Sequence, residues 1–161
     1  MLFTGEYEHA VDAKHRLAIP AEIRSRLDGG QDGAALYLAP GPNGHLWLWP
    51  EETFQQMAAA MEQSLLPGEP LMEFEVFLFS QASRMELDAA GRVRLPERLY
   101  TETGLGQQVI ILGVKDHLEL RDPAQWAKQR AQSRARQREI MLDARQAMRD
   151  ASPRNSPGEP S

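Results

Sequence analysis

The sequence predicts an α+β protein that is rich in β-strands and contains an internal duplication. Residues 12–20 combine an acid, two bases and a histidine with a short apolar run, and residues 88–96 repeat this pattern 76 positions later. In both copies an aspartate stands four residues before an arginine, and a proline follows that arginine by four. Between the copies lie short alternating apolar segments, typical of half-buried strands. At 161 residues and 42% apolar content, the chain can form a packed core.

The first half predicts two short strands, a helix, a hairpin and a second helix. The corresponding segments are 6–12, 16–20, 21–27, 36–39 with 45–49, and a helix from 50. Leu17 and Ile19 alternate with Ala18, as in a strand with one buried face. The cluster of proline and glycine at 40–44 predicts the hairpin turn.

The second half repeats this order after an apolar segment at 71–79, which we expect to be helical. Its predicted segments are 84–88, 92–96, 97–100, 109–114 with 117–120, and a helix from 122. Beyond it we expect an arginine-rich helix over 125–150 with little apolar surface. Three prolines among the last ten residues predict a disordered tail at 151–161.

Composition narrows the classes of function. There is no cysteine, which excludes disulfides and thiolate metal sites. No apolar run approaches the roughly 20 residues that span a bilayer, and the N-terminus does not resemble a signal peptide. We therefore expect a soluble, cytoplasmic protein without a membrane partner. We find no phosphate loop, nucleophile elbow or zinc-protease motif, and predict no enzyme activity, cofactor, metal or small-molecule substrate.

The charge is distributed unevenly. The net charge of −5 and the pI near 5.4 argue, taken alone, against a nucleic-acid partner. Residues 51–75, however, hold six acids and no base, whereas residues 121–150 hold eight bases and four acids. The location of the basic surface therefore matters more than the total charge.

The duplicated turns carry the candidate functional residues. Lys14 and Arg16 place two positive charges beside the titratable donor of His15, and an arginine can bind phosphate or guanine with two hydrogen bonds. Asp12 can instead form an ion pair with Arg16 that closes the turn, and both interpretations can hold at once. In the second copy, Asp88 and Arg92 favour the ion pair, because Ala90 replaces the lysine.

The chain resembles the MraZ family of bacterial transcriptional regulators, which are tied to the division and cell-wall gene cluster. The resemblance covers about residues 1–130 and rests on a set of short motifs. These are Phe3-x-Gly5-Glu6-Tyr7, Asp12-x-Lys14-x-Arg16-Leu17-x-Ile19-Pro20, Asp88-x-x-Gly91-Arg92-x-x-Leu95-Pro96, Gly113-x-x-x-His117-x-Glu119 and Trp126. Two aspartate–arginine motifs at this separation make the resemblance specific.

The resemblance implies two tandem AbrB-like (SpoVT-AbrB) units of swapped-hairpin type that form a pseudo-symmetric, barrel-like core. We expect these units at 5–51 and 81–124, with a helical connector at 52–80. It also implies a nucleoid-associated regulator that binds repeated promoter elements in double-stranded DNA as a ring-shaped homo-oligomer, and we expect repression of its own cluster. Lys14, His15, Arg16, Arg92 and Arg94 are then the expected DNA-binding residues, with Asp12 and Asp88 orienting the turns.

Three departures from the family pattern affect these expectations. The family usually has glycine where this chain has His15, which bears on the geometry of the turn and on its contact with DNA. Ala90 stands where the first copy has Lys14, so the two copies are expected to differ in affinity for DNA. Glu73 and Glu75 make the segment before the second copy acidic, where members often carry arginine.

Two alternative functions remain open at this point. One is an AbrB-like module that binds another protein, as the antitoxins of that superfamily do. The other is an enzyme of the double-psi-barrel type, for which the sequence offers no converging polar residues.

Overall fold

A computed structural model describes residues 1–27, 34–61, 65–66 and 68–152. The first half contains β1 (Glu6–Ala10), β2 (Arg16–Ala18), α1 (Ala21–Arg24), β3 (Ala35–Pro40), β4 (Leu46–Pro50) and α2 (Glu51–Ala60). Helix α3 (Glu69–Gln81) follows, so the prediction that 71–79 is helical is confirmed. The second half contains β5 (Ser83–Glu86), β6 (Arg92–Arg94), α4 (Glu97–Glu102), β7 (Gln108–Val114) and β8 (His117–Arg121). The chain continues with α5 (Pro123–Ala135) and α6 (Gln137–Ala151).

The strands form one antiparallel six-stranded sheet in the order β1-β7-β8-β4-β3-β5 and a two-stranded ribbon of β2 and β6. Each half therefore lends its first strand to the hairpin of the other half: β1 pairs with β7, and β5 pairs with β3. The corresponding strands of the two halves are β1 and β5, β3 and β7, and β4 and β8. Exchanging each strand for its counterpart reverses the order of the sheet, so the sheet is pseudo-symmetric. The fold is thus α+β and rich in strands, as predicted.

The six-stranded sheet is open, which differs from the expected barrel-like core. Within the described residues, the edge strands β1 and β5 do not pair with each other. The first predicted strand pair also differs, because β1 joins the large sheet whereas β2 joins the ribbon. The two arms of that turn are connected by an isolated bridge between Val11 and Leu17 and by a hydrogen bond from the amide of Asp12 to the carbonyl of Arg16.

The main core lies on one face of the sheet and draws on both halves. Leu36, Leu38, Ile111, Leu118 and Leu120 project there and are completely buried. The ribbon and the two short helices add further buried residues to the same cluster: Leu17, Ile19, Ile23, Val93, Leu95 and Leu99. Burying one such aliphatic side chain stabilises the fold by about 1.5–3 kcal/mol, so each half depends on the other for its stability.

A second, smaller core covers the opposite face of β3 and β4. Trp49 and Phe54 pack there with Leu78 of α3. Helix α2 starts directly after Pro50, with Glu51 and Glu52 in its first turn, where carboxylates favour the helix dipole.

The chain divides into two compact units, residues 1–123 and 124–161. In the second unit, one continuous arginine-rich helix was expected, but α5 ends at Ala135 and α6 begins at Gln137. Arg136 between them leaves the helical conformation, with φ −108° and ψ 17°. Neither glycine nor proline stands there, so no residue type indicates the break. The predicted disordered tail lies, from residue 153 on, outside the described residues. The same holds for Asp28, Gly29 and Gly30, a sequence at which we expect the first short helix to end.

Candidate nucleic-acid interface

The Asp12 carboxylate closes the first turn. Its Oδ1 accepts hydrogen bonds from the backbone N–H of Lys14 at 2.9 Å and of Arg16 at 2.8 Å. Its Oδ2 accepts a hydrogen bond from Nε of Arg16 at 2.7 Å. Aspartate favours such turns because its short side chain reaches the backbone two residues on. One carboxylate thus shapes the turn and fixes the arginine.

The second turn repeats this arrangement around Asp88. Oδ1 accepts from the backbone N–H of Ala90 and of Arg92, both at 2.9 Å. Oδ2 accepts from Nε of Arg92 at 3.0 Å. The ion pair and the turn are therefore present in both copies.

These hydrogen bonds hold both carboxylates ionised. The backbone hydrogen bond from Arg16 is the main cause that lowers the pKa of Asp12 to about 2, assisted by the Arg16 side chain and the Lys14 amide and opposed by burial. The pKa of Asp88 is lowered in the same way, chiefly by the backbone hydrogen bond from Arg92.

His15 adopts the backbone conformation that glycine adopts in the second copy. Its φ is 58°, and the φ of Gly91 is 75°. The amide of His15 donates to the Asp12 carbonyl at 3.0 Å, as the amide of Gly91 does to the Asp88 carbonyl at 2.9 Å. The backbone of the first turn therefore matches that of the second, although His15 stands in the place of the glycine. Histidine is among the residues that reach this region more readily than most.

The two turns are joined through the ribbon. The carbonyl of His15 accepts from the amide of Leu95 at 2.8 Å, and the carbonyl of Gly91 accepts from the amide of Ile19 at 2.9 Å. Each turn thus ends on the strand of the other half, which fixes the spacing between them.

One face of the ribbon carries three arginines. Leu17 and Val93 are Cα partners and completely buried, so positions 16, 18, 92 and 94 lie on the opposite face. There Arg16 pairs directly with Arg94, and Ala18 with Arg92. Like charges directly across a strand pair destabilise it. An anionic partner would remove that repulsion.

Two cations of this surface remain without a partner in the part of the chain that the structure describes. They are the exposed ammonium group of Lys14 and the exposed guanidinium of Arg94. Arg16 and Arg92 bind their aspartates through Nε only, and no hydrogen bond from described residues reaches their terminal nitrogens. The structure therefore brings together all five sequence-predicted residues, His15 included, on the ribbon and its turns.

Each turn is covered by a side chain from the short helix of the other half, which the sequence analysis missed. The ring of Tyr100 in α4 lies edge-on to His15, with ring centroids 5.3 Å apart. The guanidinium of Arg24 in α1 lies against Gly91: a Cβ built there would stand 2.7 Å from Cζ of Arg24. Positions 24 and 100 differ by the same 76 residues as the turns, and that offset was the signal that could have identified both.

A buried polar network occupies the outer face of β8. Glu119 accepts from Arg121 Nη2 at 2.7 Å and faces Nε2 of His117 at 3.1 Å, while Nδ1 of His117 faces Asp116 at 2.8 Å. The ring of Trp47 stacks on His117 with centroids 3.9 Å apart. Alternation along β8 places residues 117, 119 and 121 on one face, which was the available signal.

The network favours the charged forms of its members. Burial alone would lower the pKa of His117, but hydrogen bonds to Glu119 and Asp116 outweigh it and raise that pKa. For Glu119, burial opposes ionisation, yet hydrogen bonds from His117 and Arg121 lower the pKa. This arrangement is a closed ion-pair network; among the described residues, no cluster of histidine and acidic side chains could hold a metal ion.

None of the helices in the described ranges is both long and apolar enough to cross a membrane.

Comparison with known proteins identifies related sequences. A family model described as "MraZ protein, putative antitoxin-like" matches residues 2–67 and 78–149. The Transcriptional regulator MraZ of Roseiflexus sp. (strain RS-1) is 34% identical over 125 residues, which cover 78% of this chain and 84% of that protein. The protein of the same name from Lactiplantibacillus plantarum is 34% identical, covering 78% and 85%. That of Thermomicrobium roseum is 33% identical over 128 residues, covering 80% and 87%.

Proposed function

Because the chain belongs to the MraZ family, we propose that it is a sequence-specific DNA-binding transcriptional regulator that represses its own division and cell-wall gene cluster. It acts in the cytoplasm, on promoter repeats of nucleoid DNA. The proposal extends the names of the relatives to this chain and assigns the contact with double-stranded DNA to the β2–β6 ribbon and its two turns.

The observation that carries the proposal is the arginine-bearing face of this ribbon. The major groove of B-DNA admits a two-stranded β-ribbon. Arg16 and Arg94 face each other on that surface, and Lys14 extends it at the tip of the first turn. These cations compensate locally for the net charge of −5. An acidic protein can thus present a basic surface to DNA.

The residues of the interface differ in role. Arg16 is positioned by Asp12 through Nε, which leaves its two terminal nitrogens to bind a guanine edge or a phosphate. Lys14 and Arg94 contact phosphates, which supply affinity and register rather than sequence information. Arg92 is positioned by Asp88 in the same way as Arg16. His15 holds the turn and can donate a hydrogen bond from its ring.

We also propose that residues 5–51 and 81–124 are the two SpoVT-AbrB units, joined by the connector at 52–80. The reversible strand order and the exchanged first strands support this division. Single-turn contacts are weak, so several chains in a ring bind repeated promoter elements through a high effective concentration.

The surface that we assign to ring formation is the exposed face of α3, and its partner is a second copy of this chain. Val76 is 69% exposed and Phe77 57%, and Phe74 and Phe77 border a groove of about 630 Å³ beside Trp47 and Trp49. Apolar exposure on this scale within one helix marks an association site. The acidic charge of 51–75 complements the basic charge of 121–150, which favours a contact of unlike surfaces. Such contacts form rings when the rotation between successive copies closes.

Retention of upstream DNA tests the proposed function. Duplex DNA from upstream of the gene should shift in a gel with the parent protein and not with Arg16→Ala, while both elute at the same size. Arg84→Ala is the matched control, because it removes the same charge from an arginine that is bound to Glu51 and Glu86 away from the ribbon. Equal binding by Arg16→Ala and the parent would refute the role of the ribbon.

The purified parent protein also tests the alternative function, an antitoxin-type module that binds another protein. The family description "putative antitoxin-like" is the reason to consider it. That function predicts a stable complex with a second protein and no retention of upstream DNA.

A further inference from the structure

The second turn lacks the lysine of the first but has another cation beside it. Ala90 replaces Lys14, so the sequence alone indicates a weaker second turn. In the fold, however, Arg24 reaches this turn from α1 of the other half and lies against the backbone of Gly91. Two cationic side chains, Arg24 and Arg92, therefore flank the second turn, as Lys14 and Arg16 flank the first.

Arg24 has an unused hydrogen-bonding capacity. Its Nε is buried without a partner among the described residues, and the rest of the guanidinium makes no ion pair or hydrogen bond with them either. The terminal nitrogens are not buried in this way, and a guanidinium without an acceptor can bind an anion through them. Arg92, by contrast, already uses its Nε for Asp88.

Gly91 makes the approach of Arg24 possible. A Cβ at this position would stand 2.7 Å from Cζ and 2.8 Å from Cδ of Arg24, closer than nonbonded atoms approach. The first turn has His15 instead, and the ring of Tyr100 lies there in place of an arginine. The absence of a side chain at Gly91 therefore gives Arg24 room to lie against the second turn.

We propose that Arg24, Gly91 and Arg92 form a second phosphate-binding site, in which Arg24 takes the place of the missing lysine. The ligand is a phosphate group of the DNA backbone, and the inference rests on the proposed function of the ribbon. Arg24 is a contact residue from the first half that completes the turn of the second half. The two turns then carry equal charge, contrary to the inequality expected from Ala90 alone.

The test compares Arg24→Met, Arg24→Lys and Arg26→Met with the parent by binding to upstream duplex DNA over a range of salt concentrations. Arg26→Met is the matched control: it removes the same charge two residues away, where the guanidinium is held by the Leu2 carbonyl. We expect Arg24→Met to bind about tenfold more weakly, as for the loss of one charge-assisted contact. The slope of log K against log salt concentration should become shallower by about 0.9 for each engaged chain.

Arg24→Lys should restore most of the salt dependence of binding, because it restores the positive charge. If Arg24 had a purely structural role, the lysine and methionine variants would show the same slope of log K against log salt concentration. Sizing and thermal unfolding of each variant confirm that it is folded. If Arg24→Met binds like the parent while Arg16→Ala does not, this inference is refuted and the proposed function stands. If the parent itself fails to retain DNA, the proposed function is refuted, and the phosphate site with it.

Discussion

His15 and Gly91 hold equivalent places in the two turns, with φ of 58° and 75°, although only one of them is glycine. A residue with a Cβ costs about 1 kcal/mol or more in this left-handed region. His15 offsets part of that cost through its edge-on contact with Tyr100, since aromatic contacts contribute about 0.5–1.5 kcal/mol.

This balance predicts the order of stability of two variants at one position. Both His15→Gly and His15→Ala lose the ring contact, but only glycine relieves the left-handed strain. We expect His15→Gly to exceed His15→Ala in free energy of unfolding by about 1 kcal/mol, measured by urea denaturation. Ala13→Gly, in the same turn but without positive φ, should instead lower the stability. A His15→Ala variant as stable as His15→Gly would contradict the assigned conformation.

The lowered pKa of Asp12 predicts an acid-sensitive turn. A carboxylate with a depressed pKa stabilises the folded state at pH values above its ordinary pKa near 3.8, and this contribution is lost as the pH falls towards about 2. Carbon-13 NMR titration should place the midpoint of the Asp12 carboxylate near 2. Arg16→Ala should raise it only partly, because the backbone hydrogen bonds remain. A midpoint near 3.8 in the parent would contradict the hydrogen bonding.

Glu119 predicts a large loss of stability from one substitution. It is 4% exposed and binds both Arg121 and His117, so Glu119→Ala removes the buried carboxylate that joins these two side chains. Breaking a buried pair in this way costs about 3–5 kcal/mol. Glu86→Ala is the control, because it removes an exposed partner of Arg84 and should cost less than about 1 kcal/mol. Similar denaturation midpoints for the two variants would show that the network contributes little.

A charge on the exposed face of α3 should weaken the association between copies of the chain. Val76→Glu places a charge on the proposed contact and should reduce the assembly to smaller species in sedimentation or light scattering. Gln55→Glu adds the same charge to an exposed site on α2 and should leave the size unchanged. Because repeated sites bind through multivalency, we expect Val76→Glu also to weaken DNA retention. If Val76→Glu leaves the size of the assembly unchanged, the interface does not lie on α3.

Local patterns were sufficient for most of the elements. Alternation around Leu17 and the repeated aspartate–arginine spacing predicted the strands and turns of both halves, and each element occurs in the predicted order. These signals arise from residues a few positions apart. Pairing across the halves leaves no such signal, so the sequence did not show that β1 joins β7 or that the sheet remains open.

The candidate site was predicted in the same uneven way. The turn residues could be identified because the aspartate–arginine motif occurs twice in the sequence, at the same spacing. Arg24 was missed because its importance depends on a neighbour 67 positions away, the bare backbone of Gly91. The break at Arg136 has no local signal in residue type.

The exchange of first strands also sets the order of events during synthesis. His9 in β1 lies beside Val109 in β7, 100 residues further along the chain. At about 5–20 residues per second, the ribosome needs roughly 5–20 seconds to supply that partner. During this interval the nascent strand has an unsatisfied edge, and the charges of Glu6 and Glu8 protect it against pairing with other chains. The acidic character of β1 is thus a safeguard for the emerging polypeptide as well as a property of the finished sheet.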